Sequence, residues 1–178
     1  MLLVGGPVAC DSGGGDGGED GTFRARVFDD GQRVGRLDGQ ALFSAGGEGG
    51  FVIELFPFSQ QDPSSDEGVF LAWGREAVPS PGRYDLRLPK GDALPERERF
   101  FAGAARLRFG SPLLALYYAR EGQLRVASVS DDRVTGTFHF RRTRAERTSG
   151  GAPFEVQITG DFEAERVDAD NIRRFPGY

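Results

Sequence analysis

Two segments near the C-terminus alternate apolar and polar side chains with a period of two, and this pattern restricts them to β-structure. Residues 133–141 and 154–164 place an apolar side chain or glycine at every second position, with polar or charged side chains between them. Successive side chains of a strand point to opposite faces, whereas a helical face repeats every 3.6 residues. Both segments are therefore predicted to be half-buried strands. Gly136 and Gly160 fall on the apolar faces, where a missing side chain permits a bulge or close packing.

The two segments are predicted to pair as an antiparallel hairpin around the polar loop 143–153. Matching their apolar faces allows Arg141 to lie opposite Glu155 and Thr137 to lie opposite Thr159. An arginine–glutamate pair at such a position would stabilise the hairpin.

Turn signals separate further strands along the rest of the chain. Asp30-Gly31 and Asp38-Gly39 are typical of type I′ turns in tight hairpins, because both residue types tolerate a positive φ. Pro81-Gly82 suits the two central positions of a type II turn. The other predicted strands are 22–28, 40–45, 51–58, 68–73, 83–88, 105–109, 113–119 and a segment around residues 124–126.

Together these signals predict an all-β fold, namely an antiparallel β-sandwich or barrel of about ten strands. The least strand-like part is 91–103, where Pro95 suits a first helical position, so at most one short helix is predicted near residues 95–101. The 178 residues are 38% hydrophobic, which is enough for one core. Residues 21–178 are therefore predicted to form a single β domain.

The acidic residues are unevenly distributed. Four of the 27 acids and none of the 22 bases lie within residues 11–20, so the chain from residue 21 onward carries 23 acids against 22 bases. A nearly neutral domain offers no basic field to hold a nucleic-acid backbone. No nucleic-acid partner is predicted.

The sequence has one cysteine, Cys10, so a disulfide within the chain is excluded. Cys10 follows an apolar N-terminal run. Pro7-Val8-Ala9-Cys10 resembles the lipobox of bacterial lipoproteins, in which an aliphatic residue and two small residues precede the modified cysteine. Pro7 departs from that pattern, and no basic residue precedes the apolar run. The resemblance implies that 1–9 is the remnant of a signal peptide and that the Cys10 thiol carries acyl chains, which hold a protein stably on a membrane when two or three are present.

The segment after Cys10 is rich in glycine and aspartate. Residues 10–20 are predicted to be the lipidated cysteine plus a flexible tether, because Gly-rich chains behave as random coils. Gly13, Gly15 and Gly18 match the spacing G-x-G-x-x-G, but the dinucleotide interpretation needs a preceding strand and a following helix. Acids surround these glycines, so the tether interpretation is favoured.

Several motifs together resemble a group of secreted bacterial lipoprotein domains of unknown function. Their shared pattern has the form pGtYpL, then vtGtFsF, then itnG.F, with an early DGq segment. The resemblance implies an all-β domain behind a lipid anchor, and it supplies no catalytic residue. The matching segments here are 37–40, 81–86, 115–118, 122–128, 134–140 and 156–162.

Aromatic residues favour core packing over a sugar-binding platform, since the chain has 15 Phe against one Trp and four Tyr. Trp73 continues the apolar face of its predicted strand and is predicted to be in the core. Tyr117 and Tyr118 are adjacent in a strand and must point to opposite faces. One of the two is the candidate for an exposed aromatic side chain.

No catalytic, cofactor or metal site is predicted. His139 lies on the polar face of its strand, and no nucleophile is indicated beside it. Asp168 and Asp170 have carboxylates at positions i and i+2, but a calcium loop would need a later Gly and Glu, and position 173 is Arg. This segment is predicted to be a solvated acidic turn.

The leading functional hypothesis is a lipid-anchored, non-enzymatic binding or accessory domain of the bacterial cell envelope, facing the periplasm or the exterior. Its predicted partners are the membrane, through acyl chains on Cys10, and a protein, a glycan or an apolar ligand. Two alternatives remain open: an envelope hydrolase that uses a carboxylate pair, and a purely structural envelope component.

Overall fold

Nine strands make up the fold, and a computed structural model describes them within residues 21–46, 50–57, 67–88, 94–95, 99–109, 114–147, 152–173 and 175–176. The strands are β1 (Thr22–Asp29), β2 (Gln32–Ala45), β3 (Phe51–Pro57), β4 (Gly68–Trp73), β5 (Gly82–Leu86), β6 (Phe100–Leu107), β7 (Ala115–Val129), β8 (Arg133–Arg147) and β9 (Gln157–Arg166). A 3-10 turn follows at Ala169–Asn171.

The strands close into a barrel in the order β1-β2-β3-β4-β6-β5-β7-β8-β9. Neighbours in this order pair antiparallel, except that β5 pairs parallel with β6. β1 pairs with both β2 and β9, and a short parallel contact between β2 and β9 extends the closure. The predicted all-β fold is confirmed, and of the two architectures considered the described chain forms the barrel.

The short helix allowed near residues 95–101 does not extend to residue 101, because Phe100 and Phe101 belong to β6. Residues 96–98 lie outside the described part of the chain. The backbone N–H of Arg87 donates to the Phe101 carbonyl oxygen at 2.9 Å, and the Phe101 ring is fully buried in the barrel. Pairing between strands and burial of the ring outweigh a local helix-start signal.

One of the predicted turns is confirmed and another is wrong. Asp30 and Gly31 have φ values of 46° and 77° and join β1 to β2, as a type I′ hairpin turn requires. Gly82 begins β5 and is not among the described glycines with positive φ, whereas a type II turn needs a positive φ at its second central residue.

Asp38-Gly39 does not form the predicted hairpin turn, because it lies inside β2. A Cβ at Gly39 would overlap the Phe56 carbonyl oxygen and approach the Phe23 ring to 2.7 Å. Gly39 allows the neighbouring strands to pack closely at this point. Glycine therefore lies inside a strand here, although it marks a turn elsewhere in the chain.

The register of the C-terminal hairpin differs from the predicted one by two residues. Thr137 lies opposite Asp161 and not opposite Thr159. β9 begins two residues after Glu155, so the predicted pairing of Glu155 with Arg141 is also wrong. A shift by two residues keeps every side chain on its predicted face, so the strands and their buried sides are unaffected.

Glycine–aromatic contacts account for this register. Gly136 lies opposite Phe162, and Gly160 lies opposite Phe138. A Cβ on either glycine would stand 2.8 Å from the ring of its partner. The predicted register would instead have placed the two glycines opposite each other and left the rings without this space. Close packing of rings on glycines therefore selects the observed alignment.

The inward faces of all nine described strands meet in one apolar cluster. Along the other strands its members alternate with outward polar residues, as expected for a barrel wall, whereas β3, β4 and β6 are buried on both faces. The largest fully buried side chains are those of Tyr117, Phe23, Phe43, Phe51, Phe70, Phe101, Phe138, Phe140, Ile53, Leu55, Leu71 and Leu86, and all but Phe70 belong to this cluster.

A second apolar cluster lies on the outside of the wall and is covered by the chain after β9. It includes Val52, Phe70, Ala72, Ala102 and Ala104 on β3, β4 and β6, together with Phe175, while Ile172, Tyr118 and Leu94 pack against it. The described residues 167–173 and 175–176, called the C-terminal strap below, thus explain why the outward faces of these strands are apolar.

An ion pair fixes the strap to the wall. Glu54 on β3 is 3% exposed, and its carboxylate accepts hydrogen bonds from the backbone N–H of Arg173 at 2.8 Å and from the Arg173 Nε. The guanidinium also donates to the Glu67 carbonyl oxygen at 3.1 Å and lies 5.3 Å from the Phe70 ring centroid. The buried carboxylate is satisfied only while the strap is docked.

Candidate functional surfaces

The inward side chains of the described strands, where a small apolar ligand would bind, form one buried apolar cluster. Tyr117 is fully buried, and its hydroxyl donates to the Pro153 carbonyl oxygen at 2.6 Å. Burial, and then the negative charge of Asp29, raises the pKa of Tyr117 to about 12, so the hydroxyl stays a donor. Trp73 is 5% exposed and stacks on Phe101 with ring centroids 5.6 Å apart, which confirms its predicted place in the core.

Tyr118 lies on the outer face, opposite in direction to Tyr117, as predicted for adjacent residues of a strand. It is half-buried, because its hydroxyl donates to the Pro176 carbonyl oxygen at 3.0 Å and its ring lies 6.2 Å from that of Phe175. Beside it is a depression of about 370 Å³, lined among others by Arg144 and Glu146. The described lining of the depression includes one cation and one carboxylate. Its aromatic residue, Tyr118, is already hydrogen-bonded to the strap.

His139 lies in the outer face of β8, with Gln123 and Thr159 opposite it on the neighbouring strands. Partial burial, followed by the positive charge of Arg141, lowers the pKa of His139 below its usual value. The imidazole is therefore mostly neutral near pH 7. Its two cross-strand neighbours are an amide and a hydroxyl, so neither described residue opposite the ring is a carboxylate that could orient it in the manner of a catalytic histidine.

The acidic segment after β9 forms the 3-10 turn of the strap. The side chains of Asp168, Asp170 and Asn171 are exposed, in agreement with the prediction of a solvated acidic turn. Among the described residues, no three His, Cys, Asp or Glu side chains come together in a way that could hold a metal ion.

Phe154 is the most exposed large apolar side chain described, at 71%, although the alternation placed it on the inward face. It lies in the segment before β9 that folds over one end of the barrel. The Phe154 carbonyl oxygen accepts from the Ala145 N–H at 3.3 Å, and the Thr143 hydroxyl bonds both the N–H and the carbonyl of Val156 at 2.9 Å. These bonds hold the backbone from Phe154 to Val156 while the ring faces solvent.

Two pairs of arginines face each other across neighbouring described strands. Arg26 lies opposite Arg36, and Arg83 lies opposite Arg125, with all four side chains exposed on the outer wall. The sequence marked these residues only as polar positions of strands. The second pair could not be found from the sequence, because β5 and β7 are not consecutive.

Cys10, with the whole of 1–20, lies outside the described residues, so its predicted lipidation stays a prediction. None of the described residues belongs to a helix long and apolar enough to span a lipid bilayer. Comparison with protein-family models, with curated proteins and with solved structures finds no match to this chain. The resemblance to secreted bacterial lipoprotein domains therefore rests on the sequence motifs alone.

Proposed function

We propose that this protein is a lipid-anchored, non-enzymatic binding domain of the bacterial cell envelope, held to a membrane by acyl chains on Cys10. The observation that carries the proposal is the combination of a lipobox-like N-terminus with a barrel whose interior is packed with its own aromatic side chains. Large aromatic side chains buried inside the barrel favour a partner that contacts its outside over a small ligand held within it.

The exposed Phe154 supports a partner of this kind. A solvent-facing aromatic ring on a backbone held by hydrogen bonds is already ordered, so a partner that covers it loses little conformational entropy. Aromatic side chains are also enriched at the energetic centres of protein interfaces. The predicted class of partner is therefore a protein of the envelope.

The test is metabolic labelling of bacteria that express the full-length gene, with radiolabelled palmitate as the probe. The wild-type chain is expected to carry label and to sediment with membranes, and the Cys10→Ala variant is expected to lose both properties. Because Cys10 is the only cysteine of the sequence, no other thiol can take up the label. An unlabelled wild-type chain in the soluble cytoplasmic fraction would refute the anchor.

A further inference from the structure

The cross-strand pair Arg83–Arg125 is electrostatically unfavourable as it stands. Side chains directly opposite each other on antiparallel strands have Cβ atoms about 4.5–5.5 Å apart, and like charges at that spacing repel. Among the described residues, no carboxylate comes within ion-pair distance of either guanidinium. Asp85 shares the outer face of β5 but lies two residues away, opposite Gln123.

The second arginine pair of the barrel provides an internal comparison. Arg36, opposite Arg26, forms a bidentate ion pair with Asp38, with Nε and Nη2 at 2.7 and 2.9 Å from the two carboxylate oxygens. That pair therefore has its counter-charge within the chain. Arg83 and Arg125 present two guanidiniums to solvent with their hydrogen-bond donors free to bind an external oxyanion.

Thr137 extends the row on the other side. It lies opposite Arg125 on β8 and is exposed, so two guanidiniums and one hydroxyl follow one another across three strands. A tetrahedral phosphate, with several acceptor oxygens and a negative charge, is the group that such a row of donors fits best.

The pair is also near the end of the barrel where the N-terminal segment joins it. Arg83 is the second residue of β5, and the strand directions place the start of β5 at the same end as the start of β1. Gly21 is hydrogen-bonded into the wall there, through its carbonyl oxygen and the Ala41 N–H at 2.9 Å. Cys10 precedes Gly21 by eleven residues in the sequence, so an anchor at Cys10 would hold this end close to the lipid headgroups.

We propose that Arg83 and Arg125, with Thr137, form a phosphate-binding site that contacts the headgroup phosphates of the membrane on which the domain is anchored. This inference rests on the proposed function. The site supplies a second contact beside the acyl chains and orients the barrel with its Phe154 end away from the membrane. The net charge of −5 would by itself repel the chain from an anionic surface, so the attraction is local to the pair.

The direct test measures sedimentation of the full-length Cys10→Ser chain with vesicles of phosphatidylcholine containing phosphatidylglycerol, at low salt. Replacing both arginines, in Arg83→Gln/Arg125→Gln, is expected to lower binding about 30-fold, because each arginine near an anionic surface contributes roughly fivefold. Binding by the parent chain is expected to weaken as salt is added.

The matched control is Arg141→Gln/Arg144→Gln, which removes the same charge from two exposed positions of β8 toward the other end of the barrel. It is expected to bind like the parent chain, and an equal loss in both double variants would overturn the site. Asp85→Asn removes a carboxylate that shares the outer face of β5 with Arg83 and is expected to increase binding. An unchanged or weaker affinity in that variant would contradict the placement of the anion at the pair.

Inorganic phosphate distinguishes a headgroup from a free anion. Phosphate is expected to compete with the vesicles and to shift the NMR signals of the Arg83 and Arg125 side chains. Shifts with phosphate but no binding to anionic vesicles would overturn the membrane assignment. Because the Cys10→Ser chain carries no acyl group, these results are independent of palmitate labelling, and failure of the anchor and failure of the site give different outcomes.

Discussion

Replacing Arg173 tests the attachment of the C-terminal strap most directly. Glu54 is 3% exposed, and the Arg173 side chain, at 33% exposure, is its described charged partner. In Arg173→Ala the carboxylate keeps the backbone N–H of residue 173 but loses the guanidinium. The variant therefore leaves a buried anion without a counter-charge on the outside of β3.

Breaking a buried ion pair by removing one partner costs about 3–5 kcal/mol. The strap can also detach and admit water to Glu54, which limits the loss to the free energy of docking the strap. For a domain of this size, a loss of 1 kcal/mol lowers the melting temperature by about 2–4 °C, so we expect a decrease on the order of 10 °C. Glu54→Gln in the same chain removes the uncompensated charge and is expected to restore part of this loss.

The assays are thermal unfolding, which gives the melting temperature, and equilibrium unfolding in urea. Both are followed by the fluorescence of Trp73, which is the only tryptophan of the sequence and is buried. The matched control is Arg36→Ala, which removes an arginine from the solvent-exposed pair with Asp38 and is expected to leave the midpoint nearly unchanged. If Arg173→Ala were no less stable than Arg36→Ala, the Glu54 carboxylate would not depend on the strap and the reasoning would be refuted.

Three further substitutions test the interior and the outer wall by the same unfolding assays. Gly136→Ala brings a Cβ to 2.8 Å from the Phe162 ring and should cost about 1–3 kcal/mol, with an unchanged midpoint as the contrary result. Tyr117→Phe leaves the Pro153 carbonyl without its hydroxyl donor and should lower the free energy of unfolding by about 1–2 kcal/mol. A spectrophotometric titration of the wild type should find a phenol, that of Tyr117, with a pKa of about 12. The pKa of His139 is lowered in the folded state, so its contribution to stability is present above the unfolded value of 6.5 and decreases as pH falls through the folded pKa. The His139→Gln variant should therefore lose less stability between about pH 7 and 5 than the wild type. Equal losses in the two proteins would contradict this.

The sequence was sufficient for local features of the strands and insufficient for their partners. The predicted inward side chains of β8 and β9 are buried, except Phe154 before β9, because alternation reports directly on burial; the buried ones are Val134, Phe138, Phe140, Ile158, Phe162 and Ala164. The register was wrong because side-chain hydrophobicity alone does not distinguish an alignment from one shifted by two residues. The packing of Phe138 and Phe162 on glycines decides it, and that contact is visible only between strands.

Features that depend on contacts between distant segments were missed for a related reason. β5 enters the sheet between β6 and β7, although it precedes β6 in the chain. The pairing of Arg83 with Arg125 follows from this insertion. Likewise Glu54, in a segment that reads as an apolar strand, is compensated by Arg173, 119 residues later. No local pattern links either pair, since the energies involved arise only after the barrel has closed.

The way the barrel is packed bears on where its function can reside. The aromatic rings packed on Gly136 and Gly160 leave no room for one additional carbon atom. A ligand could enter at these positions only by displacing a ring. Such displacement would cost the burial and contact energy of a phenylalanine, about 3–5 kcal/mol by the measure of Phe→Ala substitutions. A small ligand would have to recover this loss before it gained any affinity. Contacts on the outside carry no such penalty, because Phe154 and the Arg83–Arg125 pair are already exposed to solvent. These two features lie toward opposite ends of the barrel, so a partner at Phe154 and a phosphate at the arginines can be bound together without competing for space.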